Sequence, residues 1–387
     1  MRATSISTSV EIGLRFVGIW PDLSHGTLIW LTYMTSVAIV LYFQYVYIFN
    51  HFDISNISNL IDALSITLAY SLGFLKLISL WLNRKIFYNI MLTIDKDWNN
   101  VSRDQSLMCI MSSNANLSRY CSNVLISINS TAAICYAATS LVRHSTDLEG
   151  NLNASERVLP IKMELPFEAN VSPLFELLAI GQSLHEVSIA ALVGMINSLI
   201  ITLVLHVTGQ IDILRQELLM TCNDESSESS SIIAGIRLLI TRHQKIITLS
   251  DNIEELYSDI ALMQFLSNTL VICCIGFTII ASLGKAGVTI ILLKSAIFYV
   301  AVTLEAFIFC FAGEYLSAKS KSIGDAAYES LWYNMTPDKC RIILFVILRS
   351  QKRLTITAGN VMDLSLQGFT TVMKASASYI SMLHAMY

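Results

Sequence analysis

Charge is scarce in this chain: Asp, Glu, Lys and Arg make up only 14% of 387 residues, whereas 54% are hydrophobic. With a mean hydropathy of +0.58, a water-soluble domain would have to expose large apolar surfaces, so a soluble enzyme or a nucleic-acid-binding protein is excluded. Cysteine is sparse and unpatterned. The eight, among them the vicinal pair Cys273-Cys274, include no C-x-x-C, which removes the common zinc and dithiol motifs and leaves them as small apolar fillers. The spans contain no His/Asp/Glu cluster, and the chain shows no internal repeat or pair of broken helices, so neither a membrane enzyme nor a secondary transporter is indicated. His185-Glu186 alone makes no metal site, and no cofactor is implied. A cleavable signal peptide is not expected either, because Glu11, Arg15 and Asp22 interrupt the first 27 residues before any continuous apolar run.

What the chain does have is seven apolar stretches, at about 28–49, 60–82, 121–142, 187–208, 261–283, 289–313 and 363–387. Each is long enough to cross a hydrocarbon core of ~30 Å as a helix. Segments 1–27, 83–120, 209–260 and 314–362 carry 18 Lys/Arg, whereas 50–59, 143–186 and 284–288 carry 4. The basic side is normally cytoplasmic. The expected fold is therefore all-α and polytopic with seven transmembrane helices, the N-terminus inside and the C-terminus outside. No cysteine falls in an outer loop on this layout, which excludes a disulfide-built ectodomain.

The outer loop 143–186 holds Pro160, Pro166 and Pro173, three of the five prolines, and predicts an irregular lid. It is also acidic, which concentrates cations near the outer surface. Apolar residues at helical spacing on either side of the Ser-rich break 223–231 predict that spans four and five continue into the cytoplasm. Pro337 begins an amphipathic helix over 338–357, and Thr357-Ala358-Gly359-Asn360 breaks it. The chain divides accordingly into 1–313 with spans one to six, 314–362 with cytoplasmic helices, and 363–387 with the last span. Charges inside spans are costly. Lys76 lies close enough to the inner end of its span to snorkel to water. Lys294 and Glu305 share a face three turns apart, ~16 Å along the helix, with a ligand contact and a pore-side role as functional readings and a buried polar network as the structural one.

The last span is the least hydrophobic. Thr371, Lys374, Ser378, Ser381 and Ala385 recur every three or four residues and so share one face, which suits a water-filled path and equally suits close helix packing.

The C-terminal third resembles the insect odorant receptor family. The resemblance rests on Gly313-Glu314-Tyr315-Leu316 with Ser320, Ala327 to Tyr333, Leu348 to Gly359, and Lys374 to Tyr379. Chain length, seven spans and the long second outer loop extend it across the chain. The resemblance implies a tetrameric, odorant-gated cation channel in the plasma membrane of olfactory sensory neuron dendrites, with lipid around it and the Orco co-receptor as partner. About 50 residues between spans four and five, without the large insertion of the co-receptor, make this a tuning subunit. It also implies an outer-half ligand pocket. Mapped by depth, the pocket draws on Ser65, Ala69, Tyr70 and Gly73, on Cys135, Tyr136 and Thr139, on Ile189 and Val193, and on Lys294, Phe298 and Tyr299. The pore and gate fall to Lys374, Ser378, Ser381, Met382 and Ala385. A cytoplasmic subunit anchor falls to Trp332, Tyr333, Ile343, Val346 and Ile347.

Two alternatives stand beside this reading. A gustatory-receptor-like channel is disfavoured because its final-helix Gln position is Ala385 here. A metabotropic seven-helix receptor is opposed by the charge distribution and by the absence of Asp-Arg-Tyr after span three and of Asn-Pro-x-x-Tyr in span seven. The topology is directly testable. A tag after Tyr387 should stain on intact cells and a tag before Met1 only after permeabilisation; the reverse pattern would sink the channel reading. Asn56, Asn153 and Asn170, in outer-side sequons, are the glycan acceptors this layout permits.

Overall fold

A computed structural model describes residues 5–52, 57–102, 104–149, 159–167, 169, 171–223, 229–282 and 288–386. Within them run α1 (Thr8–Phe16), α2 (Gly26–Asn50), α3 (Ile57–Leu82), α4 (Arg84–Val101), α5 (Gln105–Glu149), α6 (Leu174–Asn223), α7 (Ser229–Ser282), α8 (Val288–Glu329), α9 (Pro337–Gln351) and α10 (Leu366–Met386). A two-stranded hairpin, β1 (Thr357–Ala358) with β2 (Met362–Asp363), separates α9 from α10. Among the described residues, six helices are long and apolar enough to cross a membrane. The 21 residues of α10 reach ~32 Å, so it has the length, but its hydroxyls and Lys374 dilute its apolar content.

Helices α5 to α8 have 45, 50, 54 and 42 residues. At 1.5 Å per residue each is roughly twice as long as the hydrocarbon core is thick. The expected extensions of spans four and five are present, and spans three and six extend as well. The outer loop is shorter than its prolines suggest: α5 runs to Glu149 and α6 starts at Leu174, one residue after Pro173. Phe175, Ala179, Gln182 and Glu186 bury one face of this first part of α6, and that three-to-four spacing carries the helix through acidic sequence. The sequons Asn56, Asn153 and Asn170, the break 224–228 and the turn 283–287 lie outside the described residues.

At the centre is α6. Every residue from 196 to 211 is buried, Leu199, Ile200, Leu203, Val207 and Ile211 completely; four unbroken turns cover all directions around the axis, so this helix is surrounded by protein rather than by lipid. Helix α1 packs on it where Gly13 leaves room for the Met195 side chain, which would overlap any Cβ at that position. Helix α4, which hydropathy does not reveal, buries Phe87, Ile90, Met91, Ile94 and Val101 along one stripe. The seven described cysteines, Cys109, Cys121, Cys135, Cys273, Cys274, Cys310 and Cys340, are free thiols.

The amphipathic helix expected over 338–357 stops at Gln351, and Thr357 opens β1; two further sequence expectations need correction. Lys76 does not snorkel: it is 0% exposed, and its Nζ donates to Asn197 Oδ1 of α6 at 2.7 Å. Packing of α3 against α6 closes the route to water, and the amide gives a nearer acceptor. The second concerns the anchor. Ile343 and Val346 of α9 are buried within this same chain, where α9 crosses α8 so closely that a Cβ on Gly324 would meet Ser350 Oγ. Trp332 and Ile347 also pack, partly buried, against the chain's own core. The apolar side chains of α9 left outside are Leu344, Phe345 and Leu348, with Phe345 70% exposed, and Tyr333 is exposed beside them.

The hairpin turn has Gly359 and Asn360 both at positive φ, as a type I′ turn requires. A Cβ on Gly359 would also overlap Leu262 of α7. Thr357 N donates to Glu254 Oε2 at 2.7 Å and Gly359 N to Ser258 O at 3.0 Å, so the hairpin is fastened to α7.

A second polar cluster lies towards the N-terminal segment. Asp97 of α4 accepts from Lys245 Nζ of α7 and lies 3.2 Å from His206 Nε2 of α6. His206 Nδ1 in turn lies 3.0 Å from Ser5 Oγ, to which Trp98 Nε1 donates at 2.7 Å. Burial would raise the Asp97 carboxyl, but hydrogen bonds and charge from His206 and Lys245 outweigh it and hold the group below its ordinary value. A depressed carboxylate contributes stability above its unfolded pKa, about 3.9, and loses it as pH falls through the lower native value. Asp97→Asn should therefore cost about 3–5 kcal/mol at neutral pH, read as a lower unfolding temperature in detergent, and the gap from the parent should narrow in strong acid. Equal unfolding temperatures at neutral pH would overturn this account.

Candidate ligand-binding site

Helices α3, α5, α6, α7 and α8 enclose a cavity of about 120 Å³. Its walls are apolar or aromatic for most of their area: Ile66, Ala69, Tyr70 and Leu72 from α3, Ala132, Ala133, Cys135 and Tyr136 from α5, Ile189, Ala190 and Val193 from α6, and Ile297, Phe298, Ala301 and Val302 from α8. A dry apolar void of ~150 Å³ holds a benzene-sized molecule, so this one is sized for a small organic guest.

Polar groups occupy its two ends. At one, Lys294 Nζ of α8 lies 3.2 and 3.3 Å from the Asp62 carboxylate oxygens of α3 and 3.8 Å from the centre of the Tyr136 ring. Lys162, on the segment between α5 and α6, approaches the same carboxylate at 3.7 Å. That segment is held down by Ile161 N donating to Gln182 Oε1 at 3.1 Å and Glu164 N to Phe43 O at 3.2 Å. At the other end, Glu305 Oε2 of α8 accepts from Gln264 Nε2 of α7 at 2.9 Å, and Asn268 Nδ2 donates to Val302 O at 3.2 Å. Glu186 also lines the cavity; it is 8% exposed, and its buried Oε2 has no hydrogen-bond partner. An unmatched buried carboxyl oxygen is costly.

Of the residues mapped by depth, Ala69, Tyr70, Cys135, Tyr136, Ile189, Val193, Lys294 and Phe298 all line this cavity. Four are elsewhere or undescribed. Ser65 turns its hydroxyl back to Ile61 O at 2.9 Å. Gly73 is a contact point between helices, where a Cβ would press on Ile189 and Val193. Tyr299 packs with Val271, Ile272, Ile275 and Val302 between α7 and α8. The Thr139 side chain lies outside the described residues. His185 stacks between Tyr33 and Tyr70, with its ring nitrogens 3.5 and 3.4 Å from Ser36 Oγ and Tyr70 Oη. No grouping of three or more metal-binding side chains occurs among the described residues.

Sequence reasoning missed the wall supplied by α7: Ser267, Asn268 and Val271. The signal was available, because Gln264, Ser267 and Asn268 stand at i, i+3 and i+4 in an otherwise apolar span. It also missed Asn129, Glu186 and Glu305 as cavity residues.

Helix α10 is two-faced. Ser376 and Gly368 are buried, and Ile380 packs where Gly276 of α7 has no side chain. Thr371, Lys374, Ser378, Ser381 and Met382 are exposed, the last 62%; the Ala385 side chain lies outside the described residues.

The family model described as 7tm Odorant receptor matches residues 56–377. This chain belongs to the insect odorant receptor family. Odorant receptor 13a of Drosophila melanogaster is 24% identical, the match covering 94% of this chain and 89% of that one. Odorant receptor 10 of Aedes albopictus is 24% identical over 79% of this chain and 78% of its own. Odorant receptor 67c of Drosophila melanogaster is 29% identical, but over only 43% of this chain and 39% of its own length. Among solved structures, the insect olfactory receptor OR5 from Machilis hrabei in complex with eugenol superposes with a TM-score of 0.80 at 13% identity, covering 98% of this chain and 97% of that one. The same receptor without eugenol in its description gives 0.75. The odorant receptor fold therefore extends over nearly the whole chain.

Proposed function

We propose that this odorant receptor is the odour-tuned subunit of a ligand-gated, non-selective cation channel, assembled with the Orco co-receptor into a tetramer in the plasma membrane. The observation that carries the proposal is the exposed face of α10. In a lone chain Thr371, Lys374, Ser378 and Ser381 would point at lipid, and a line of hydroxyls and one ammonium across a bilayer is stable only against water or protein. A central aqueous path shared among subunits satisfies it, and Met382 on that face supplies an apolar constriction that gates by dewetting.

The ligand is placed in the 120 Å³ cavity. Eugenol, named with the OR5 structure, is likewise a small aromatic molecule. The link from cavity to pore is α7, whose Asn268 and Val271 face the cavity while Cys273 and Gly276 face α10. A guest that displaces α7 thereby displaces the pore helix directly. Subunit contact is assigned to Tyr333, Leu344, Phe345 and Leu348, the apolar side chains that the chain's own packing leaves uncovered.

The cavity assignment predicts changes in ligand ranking. Phe298→Ala should reorder odorant potencies by about 10–200-fold, the range for lost or gained apolar contact. Glu186→Leu should selectively weaken hydroxyl-bearing ligands relative to hydrocarbons of equal size, because a hydroxyl satisfies a carboxyl oxygen in either protonation state. Dose–response currents in cells expressing the co-receptor measure both, and unchanged ranking in both variants would place the ligand elsewhere.

Pore and assembly variants should behave differently from these. Met382→Ser should raise basal current without reordering ligands, whereas Phe345→Glu should abolish co-purification with the co-receptor. Reordered ligands with normal basal current in the Met382 variant would return that residue to the pocket or core, and retained co-purification would remove α9 from the subunit interface.

A further inference from the structure

A second recess, of about 450 Å³, opens between the α1–α2 connection and the junction of α3 with α4. Spans α2 and α3 run antiparallel, so the start of α2 at Gly26 and the end of α3 at Leu82 mark one level of the bundle. At that level the recess presents hydrogen-bond donors: the guanidinium of Arg84, the ammonium of Lys85, the hydroxyls of Ser24, Thr27 and Tyr88, and Trp20. No Asp or Glu lines it. Neither Arg84 nor Lys85 has a carboxylate within ion-pairing distance among the described residues, although both are exposed. Arg84 instead lies over the Trp81 ring, 4.5 Å from its centre, and Trp81 stacks on Trp30 at 4.6 Å. That stack fixes the guanidinium beside the opening.

An independent observation points to an acceptor that belongs there. Trp20 is 3% exposed, and its buried indole N–H has no hydrogen-bond partner. A buried donor without an acceptor costs free energy, and among the side chains lining the recess only the hydroxyls and the Asn89 amide oxygen can accept, none of them charged. The chemistry that complements an indole N–H, a fixed guanidinium and an ammonium in one recess is a phosphate oxygen cluster. The setting selects its source. Leu28, Leu31 and Leu82, immediately towards the membrane from this level, are 66, 49 and 73% exposed and offer the apolar surface along which an acyl chain lies.

We propose that this recess is a binding site for the headgroup of an anionic phospholipid, held by Arg84, Lys85 and the Trp20 indole, on the basic side of the membrane. The proposal does not depend on where the odorant binds. A basic residue near an anionic membrane surface contributes about fivefold in association, so two should give a preference well above that for a zwitterionic lipid.

The test uses the full-length chain in nanodiscs of phosphatidylcholine, with spin-labelled phosphatidate and spin-labelled phosphatidylcholine compared for the fraction immobilised on the protein. The expected result is selective immobilisation of phosphatidate, about fivefold or more, that Arg84→Gln with Lys85→Gln abolishes. Both substitutions are at exposed positions, and Arg84→Gln gives up only the contact with the Trp81 ring. Trp20→Phe, which keeps the ring and removes the N–H, should reduce the preference without removing it. Equal immobilisation of the two lipids, or a preference unchanged in the double variant, would overturn the proposal. Displacement of phosphatidate by millimolar inorganic phosphate would overturn the lipid assignment in favour of a soluble phosphate.

Discussion

A single ammonium sealed inside the membrane region sets the terms for the rest of this bundle. Lys76 has no solvent contact, and a charge there is costly unless it is hydrogen-bonded and faces an opposite charge. Asn197 of α6 supplies the hydrogen bond, the ring of Phe309 lies 5.5 Å away, and Glu305 of α8 supplies the opposite charge. Glu305 is in turn bonded by Gln264 of α7, and Gln264 donates to Asn268 at 2.6 Å. Four helices are thereby held in one register. Helices that attract each other only through dispersion can slide, because lipid offers similar contacts; a charge with one set of partners permits a single arrangement.

The cavity exists because of that register. Asn268 and Glu305 belong to the network and also line the cavity, so the polar floor and the apolar walls are built from the same helices at adjacent turns. Lys294 and Asp62 close the opposite end, tying α3 to α8, and Lys162 brings the outer segment onto the same carboxylate. Between these two charged layers the helices are kept apart by rings and small side chains, Ala69, Ala133, Ala190 and Ala301 facing Tyr70, Tyr136 and Phe298. Small residues opposite large ones leave a gap that a run of leucines would fill.

Hydropathy made six spans plainly legible, since the solvent for those segments is lipid and apolar length is the whole requirement; the seventh, α10, is diluted by hydroxyls and Lys374. It was blind to α4, whose apolar residues are spread at three and four and whose average is polar, although the stripe from Phe87 to Val101 is there to be read. Depth along each span located eight cavity residues but not their rotation about the helix axis. Tyr299 is therefore at the right height on the wrong side, whereas Ser65 and Gly73 share the lining face but are engaged with Ile61 and with Ile189 and Val193. Rotation is decided by which neighbour each face meets, and a sequence does not state its neighbours. The same limit explains α9: two apolar faces were present, and only the crossing with α8 showed that Ile343 and Val346 are the ones already used.

Two surfaces of the single chain are each mismatched to the medium around them. Along α10, polar side chains face outward; along α9, which lies outside the candidate spans, Phe345, Leu344 and Leu348 face outward. Each would be unfavourable in an isolated chain, and no rotation of either helix corrects it, because the opposite faces are packed against α7 and α8. Association corrects both at once. In the proposed tetramer the apolar faces of α9 would meet one another outside the lipid and bring the polar faces of α10 together within it, so that contact between subunits in water would gather a wet path across the membrane.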